Sequence, residues 1–191
     1  MVDRVRTAFT VTLWAWLAAE GFLQVRQLRQ SGRTEQNEWR SLLVLAGLAA
    51  AGFALAGPVG RALPALSYPV DGVTAVALLL ATWAGIGLRL WSIHTLGRYF
   101  RGTVHIQEGH RVVEWGPYRR LRHPAYTGAL LAAVGLTAAF GNVASLLLVT
   151  ALLGLAVGYR IRVEERVLAA ALGEAYTSYA ARTHRLVPGV W

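Results

Sequence analysis

Arg160 and Glu164 stand four residues apart in the stretch "YRIRVEERVLAAALGEAY". On a helix that spacing puts them on one face. Directly before them lies an uncharged run from Pro124 to Tyr159. The pair has two readings. One is a helix-surface ion pair worth about 0.3–0.5 kcal/mol, in the weaker Arg-before-Glu order, with Arg162 and Glu165 as neighbours on a solvated face. The other is a functional pair at the point where the apolar segment ends. At the far end of the uncharged run sits "GPYRRLRHPAYTG", residues 116–128. It carries Arg119, Arg120 and Arg122, His123, and the tyrosines Tyr118 and Tyr126. Pro124 holds His123 extended and can itself begin a helix. His123 is therefore either a simple loop-to-helix junction or a fixed donor beside a ligand. Trp115, Tyr118 and Tyr126 suit an interfacial aromatic belt or an aromatic surface for a cationic ligand. The arginines also suit lipid phosphates.

Other chemistries are disfavoured. His94, His105, His110, His123 and His184 form no HExxH set and no paired spacing of the kind zinc uses. There is no cysteine, so there are no disulfides and no thiolate ligand or nucleophile. No GxGxxG or Walker pattern marks a Rossmann or P-loop nucleotide site.

The elements that must position these residues are apolar helices. Hydrophobic residues make up 55% of the 191-residue chain and charged residues 15%, against about 25% charged in soluble domains. The net charge is +9, and all 19 basic residues are arginine. With apolar runs this long, that charge points to an anionic lipid surface rather than nucleic acid. Arginine without lysine, with abundant Ala and Gly, suggests a GC-rich bacterial genome. A spanning helix needs about 20 apolar residues, and candidates cover 7–25 (interrupted by Glu20), 41–60 and 70–93. Arg4 and Arg6 before Thr7–Ala19 resemble a signal-peptide start, but no small-x-small cleavage site ends that run, so a retained helix is expected. As one helix the 124–159 run would be about 54 Å long, against a hydrocarbon core of about 30 Å. It should fold as a hairpin turning at Phe140-Gly141-Asn142, because Gly and Asn tolerate left-handed backbone. The last helix should continue to about Leu172, followed by an interfacial segment with Tyr176 and Tyr179 and a stop at Pro188.

The expected fold class is an all-α integral membrane protein of five transmembrane helices, the last two a helical hairpin. It forms one membrane domain, 1–191, with three spans in 1–93 and a linker, hairpin and C-terminal segment in 94–191. Arginines cluster in 26–40, 94–123 and the C-terminal tail, which the positive-inside rule makes cytoplasmic; the setting would be a bacterial inner membrane. Small-residue runs such as "GLAAAGFALAG" allow helix packing within or between chains, leaving the oligomeric state open.

"GPYRRLRHPAYTG", followed some thirty residues later by "RIRVEERVLAAALGEAYTSYAARTHRLVPG", resembles the isoprenylcysteine carboxyl methyltransferase family, and "LGRYFRGTVHIQEGHRVVEWGPY" extends the likeness. The match covers roughly residues 94–190. It implies a membrane-embedded methyltransferase dependent on S-adenosyl-L-methionine, the cofactor enclosed by the linker and the ends of the last two helices. Carried over by position, cofactor contacts fall on His105, His110, Arg111, Val112, Val113, Tyr118, His123, Pro124, Ala125, Tyr126 and Glu164. Arg160 would face the reacting anionic end of the substrate and, with Glu164, form the catalytic pair. The implied partners are a lipophilic or prenylated acceptor and membrane lipid. The family's bacterial relatives also methylate lipidic phenols, quinones, small thiols or phospholipid amines, which leaves the acceptor open.

Two other classes remain. Membrane sterol and enone reductases share a GPY…RHPxY pattern and use NADPH, but are generally longer. A transporter would carry ionisable residues near the midplane, where only Glu20 qualifies; its ordinary reading is snorkelling or helix packing.

Overall fold

The computed structural model describes residues 2–30, 39–99, 112–189 and 191. Six α-helices carry it: α1 (Val2–Gln30), α2 (Trp39–Ala62), α3 (Gly72–Leu96), α4 (Pro124–Ala138), α5 (Val143–Leu172) and α6 (Glu174–Ala181). Short 3-10 turns fall at Pro64–Leu66, Gly97–Tyr99 and Gly116–Arg119. Among the described residues the only β-type pairings are two isolated bridges.

By length and composition, three segments can cross a membrane: Arg40–Ala62, Gly72–Leu96 and Val143–Leu172. Thr7–Leu23 and Pro124–Ala138 are apolar but shorter. At 15 residues, α4 is only about 23 Å long. The expected hairpin of 124–159 is present as α4 and α5, and α5 continues to Leu172 as expected.

Local chemistry sets the helix ends. Asp71 caps α3 by accepting from the Thr74 amide at 2.7 Å, a bond that holds its carboxyl below the usual range. Asn142 caps α5 by accepting from the Ser145 amide at 3.1 Å. Gly141, at φ 66°, makes the turn between α4 and α5, and a Cβ there would lie 2.6 Å from the Tyr68 carbonyl oxygen. That turn is tied to the α2–α3 connection: Tyr68 N donates to Gly141 O at 2.7 Å, and Asn142 Nδ2 donates to Leu63 O at 3.0 Å.

Packing pairs α3 with α4 and α2 with α5. Small residues make both contacts close, as in membrane helix pairs generally. A Cβ at Gly85 would sit 2.6 Å from Gly128 O, and one at Gly128 would sit 2.5 Å from Gly85 O, so α3 and α4 cross backbone to backbone. In "GLAAAGFALAG", Gly52 meets α5 at Leu152, which gives this run a packing role within the chain. Ala56, Ala133, Val149 and Leu153 form the core between α2, α4 and α5. Val73, Leu80, Leu147 and Leu155 face outward, as lipid-facing side chains do.

Inside the helices lies an ion pair the sequence reading missed. Arg89, the one arginine of α3, binds both carboxylate oxygens of Glu20 on α1, with Nη2 to Oε2 at 2.7 Å. Trp16 Nε1 donates to the same carboxylate at 3.1 Å. Glu20 is thus a packing residue, as its ordinary reading held.

Candidate active site at the junction of α2, α4 and α5

Where the uncharged run of α5 ends, Arg160 turns inward. Its side chain is almost wholly buried, at 1% exposed, so the helix-surface reading of the pair fails. Burial on that scale demands partners for a guanidinium. Arg160 Nη1 donates to Ser41 Oγ on α2, and Nε donates to Tyr126 OH on α4 at 3.3 Å. Tyr126 OH in turn donates to Glu164 Oε2 at 3.0 Å. The Arg160 and Glu164 side chains stand 4.0 Å apart, bridged by the phenol. Three helices thus converge on one polar cluster at the end of an apolar segment, and two of the residues predicted as cofactor contacts are in it together with Arg160. Ser41 was not among the predicted residues; a serine opening an uncharged helix gives little signal in sequence.

The predicted His123-Pro124-Ala125-Tyr126 stretch forms the first turn of α4. The His123 carbonyl accepts from the amides of Tyr126 at 3.0 Å and Thr127 at 3.1 Å. Pro124, at the first helical position, is fully buried. The Ala125 carbonyl accepts from Arg89 Nη1 at 3.2 Å, which ties this turn to the buried Glu20–Arg89 pair.

Neighbouring Glu165 faces a different way. Its carboxylate meets Arg122 Nη1 at 3.2 Å, His123 Nε2 at 3.3 Å, and Arg185 Nε and Nη2 at 2.9 Å each. A carboxylate only accepts, so the His123 Nε2 carries the proton in this contact. Glu165 and Arg185 were expected on a solvated face or in the tail. Instead they lock the α4 entrance to the C-terminal segment. Backbone pairing completes the lock: Arg122 N donates to His184 O at 2.7 Å, and His123 N donates to Arg185 O at 3.1 Å.

Tyr118 is buried in the turn at Gly116–Arg119, with Val113 buried and Val112 half-buried just before it. Tyr179 OH donates to the carbonyls of Tyr118 at 2.8 Å and Leu121 at 3.1 Å. Tyr176 and Tyr179 are both buried in the protein, which corrects the expected interfacial placement. Burial pushes the Tyr118, Tyr176 and Tyr179 phenols well above their ordinary range, so they remain neutral donors. Trp115, by contrast, is exposed, as a belt residue would be. His105, His110 and Arg111 lie outside the described residues. Among the described residues no group of three His, Cys, Asp or Glu could hold a metal ion.

The arrangement offers a half-exposed carboxylate, Glu164, against a phenol ring and a buried guanidinium. It suits a ligand that carries a positive centre and lies near an anionic group. Comparison with known proteins fits this geometry. A probable protein-S-isoprenylcysteine O-methyltransferase of Oryza sativa subsp. japonica is 33% identical over 103 residues, covering 53% of this chain and 54% of the relative. The cobalt-zinc-cadmium resistance protein CzcN of Cupriavidus metallidurans is 37% identical over 123 residues, covering 62% of this chain and 53% of the relative. The chain spans about half the length of the curated relatives it matches. The solved structure of a eukaryotic intramembrane Ras methyltransferase, isoprenylcysteine carboxyl methyltransferase, superposes with a TM-score of 0.56 at 23% identity. That superposition covers 76% of this chain and 52% of the other, and it shows a shared fold. The family model of isoprenylcysteine carboxyl methyltransferase matches residues 76–170, from the first turns of α3 almost to the end of α5, and so takes in the Tyr126–Arg160–Glu164 cluster. Over residues 76–170, the half that carries the cluster, the chain is thus similar to the isoprenylcysteine carboxyl methyltransferase family, whose fold it shares.

Proposed function

We propose that this chain is an S-adenosyl-L-methionine-dependent methyltransferase that modifies a lipidic or prenylated acceptor at the membrane surface, in the first instance the carboxylate of an isoprenylcysteine-like substrate. The carrying observation is the buried Arg160, bonded to Ser41 and Tyr126 and 4.0 Å from Glu164 at the membrane end of α5.

The residues present fit the cofactor. Glu164 makes one hydrogen bond among the described residues and its side chain is 27% exposed, so it has spare acceptor capacity. When bound, S-adenosylmethionine supplies an electrophilic methyl group on a cationic sulfur. Glu164 and the face of Tyr126 attract that positive charge. Val112, Val113, Tyr118 and the His123–Tyr126 turn, with His105, His110 and Arg111 from the linker, would hold the rest. Arg160, fixed by Ser41 and Tyr126, presents its guanidinium to the acceptor's anionic end. A carboxylate is already a nucleophile, so the chain needs no general base. Its residues align the reactants and keep water out.

The membrane arrangement follows from the same reading. α1 and α4 accompany the three long helices as further spans, making five. The arginine-rich linker and C-terminal segment face the cytoplasm, in a bacterial inner membrane. That places an aqueous cofactor and a lipid acceptor at one surface.

The test is calorimetric titration of the purified chain in detergent with S-adenosylmethionine and, separately, NADPH. The expected result is saturable binding of the first alone, lost in Glu164→Ala. Arg160→Ala should bind the cofactor but fail to transfer labelled methyl to N-acetyl-S-farnesylcysteine or a lipid extract. Binding of NADPH alone would move the protein to the reductases and sink the proposal.

A further inference from the structure

Beyond Leu153 and Ile161, α5 turns a second polar face away from the Arg160 cluster. Each residue of a helix advances by about 100°, so Arg162 and Arg166 point away from Arg160 and Glu164. Together with Arg122, Glu165, Tyr176 and Arg185 they line a cavity of about 610 Å³ between α5, α6 and the approach to α4. Four of these residues are cations and one is an anion. Glu165 is already shared by Arg122, His123 and Arg185. Among the described residues, Arg162 and Arg166 have no carboxylate within ion-pair distance, and Arg166 Nε donates only to the Arg162 carbonyl at 3.1 Å.

A second observation comes from the buried donors. The Tyr176 hydroxyl and Arg122 Nε are buried and have no hydrogen-bond partner, and Tyr176 as a whole is 5% exposed. Arginine has no acceptor at all, and a buried polar group without a partner is costly. Two orphaned donors and two unpaired guanidinium groups around one cavity ask for a ligand that only accepts. It must be negatively charged and offer oxygens in several directions, as tetrahedral phosphate does and a planar carboxylate does not. The cavity is larger than one phosphate, and Ala169 and Ala180 give it an apolar wall. A substituent on the phosphate therefore has room.

We propose that this cavity binds a phosphate ester, at a site separate from the Tyr126–Arg160–Glu164 cluster. Its place at the polar end of α5 suits two sources of the same chemistry, the headgroup of an anionic phospholipid or a soluble phosphomonoester. The proposal does not depend on the methyltransferase reading: among the described residues, the side-chain bonds and ion pairs of the charged residues lining the cavity run to Glu165, His123 and the Arg162 carbonyl, not to Tyr126, Arg160 or Glu164.

The experiment uses the full chain purified in detergent, the variant Tyr176→Phe and the double variant Arg162→Gln/Arg166→Gln. Tyr176→Phe keeps the ring and removes only the orphaned hydroxyl, and Arg162 and Arg166 are exposed, so both variants should fold. Inorganic phosphate and glycerol 3-phosphate are titrated calorimetrically. Phosphatidic acid and phosphatidylcholine of matched chains are compared by native mass spectrometry. Each variant should weaken binding on the order of tenfold, the loss expected for a hydrogen bond or ion contact to a charged group. S-adenosylmethionine binding should stay unchanged. Binding confined to the soluble probes assigns a soluble ester, and a preference for phosphatidic acid lost in the variants assigns a lipid headgroup. Glutamate binding as tightly as phosphate, or equal binding by wild type and both variants in every arm, would overturn the proposal.

Discussion

Tyr126→Phe removes one oxygen and nothing else from the centre of the site. That oxygen donates to Glu164 at 3.0 Å and accepts from Arg160 Nε at 3.3 Å. Hydrogen bonds with one charged partner contribute about 1.5–3 kcal/mol each. The Arg160 bond lies just beyond the usual N–H···O range, and Arg160 keeps Ser41, so that loss is the smaller. Glu164 is 27% exposed and recovers part of its hydration. A net effect of about 2 kcal/mol follows, which is a factor of about 30 in a binding constant. The direction is set by geometry. Without the hydroxyl, Glu164 is free to close on Arg160, 4.0 Å away, and a cationic ligand must then break a direct ion pair. Affinity for S-adenosylmethionine, read by calorimetric titration, should therefore fall about 30-fold. Tyr159→Phe, on α5 beside Arg160 but 42% exposed, serves as the control and should change nothing. Cofactor affinity within about threefold of wild type in a folded Tyr126→Phe protein would refute the reasoning, because the phenol would then not govern where Glu164 points.

Three further outcomes are expected from the surrounding architecture. Glu165→Gln strips the common partner from Arg122, His123 and Arg185. Stability should drop by about 3 kcal/mol, seen as a lower thermal midpoint by circular dichroism and as faster tryptic cleavage at Arg182 and Arg185. Glu20→Gln leaves Arg89 without its carboxylate inside the helices and should cost about 3 kcal/mol, while Glu20→Gln/Arg89→Met should recover most of that loss; equal midpoints for the single and double variants would contradict this. Gly128→Ala would put a Cβ 2.5 Å from Gly85 O and 2.7 Å from Arg89 N. Forcing α3 from α4 should cost about 1–3 kcal/mol, again read as a shift of the thermal midpoint.

The hairpin of α4 and α5 was legible because length alone forbade a single helix; Gly141 takes the left-handed backbone expected at the turn, whereas Asn142 is extended and serves instead as the α5 cap. The Tyr126–Arg160–Glu164 grouping was legible only by combining helical spacing with family resemblance. Spacing alone left the pair open between a surface ion pair and a functional pair, since nothing in a single helix says which neighbour Arg160 packs against. Burial of Arg160 depends on Ser41, 119 residues away in sequence, and no periodicity connects the two. The same limit hid the pairing of Glu20 with Arg89, although a lone arginine within an uncharged helix is itself a signal of a partner elsewhere. Tyr176 and Tyr179 misled for another reason. Tyrosine at the end of a spanning segment is common at the lipid interface, but here Tyr179 satisfies two carbonyls of the linker and is drawn inward.

The adjacent carboxylates of "EER" show how packing divides labour that sequence cannot. Glu164 and Glu165 are chemically the same and sit about 100° apart around α5. Glu165 meets four nitrogens from three residues, and its side chain is 12% exposed. Its acceptor sites are used, so any ligand would have to displace protein cations that hold the C-terminal segment in place. Glu164 has one hydrogen bond among the described residues and more than twice that exposure. It can accept a ligand's charge without dismantling the fold. The two roles make opposite demands: a structural carboxylate is best when saturated, and a binding carboxylate is best when held by one bond and left otherwise open. Loss of Glu165 should thus appear first in stability, and loss of Glu164 first in cofactor affinity. A Glu164→Gln protein that melts earlier than Glu165→Gln while binding S-adenosylmethionine normally would reverse the assignment.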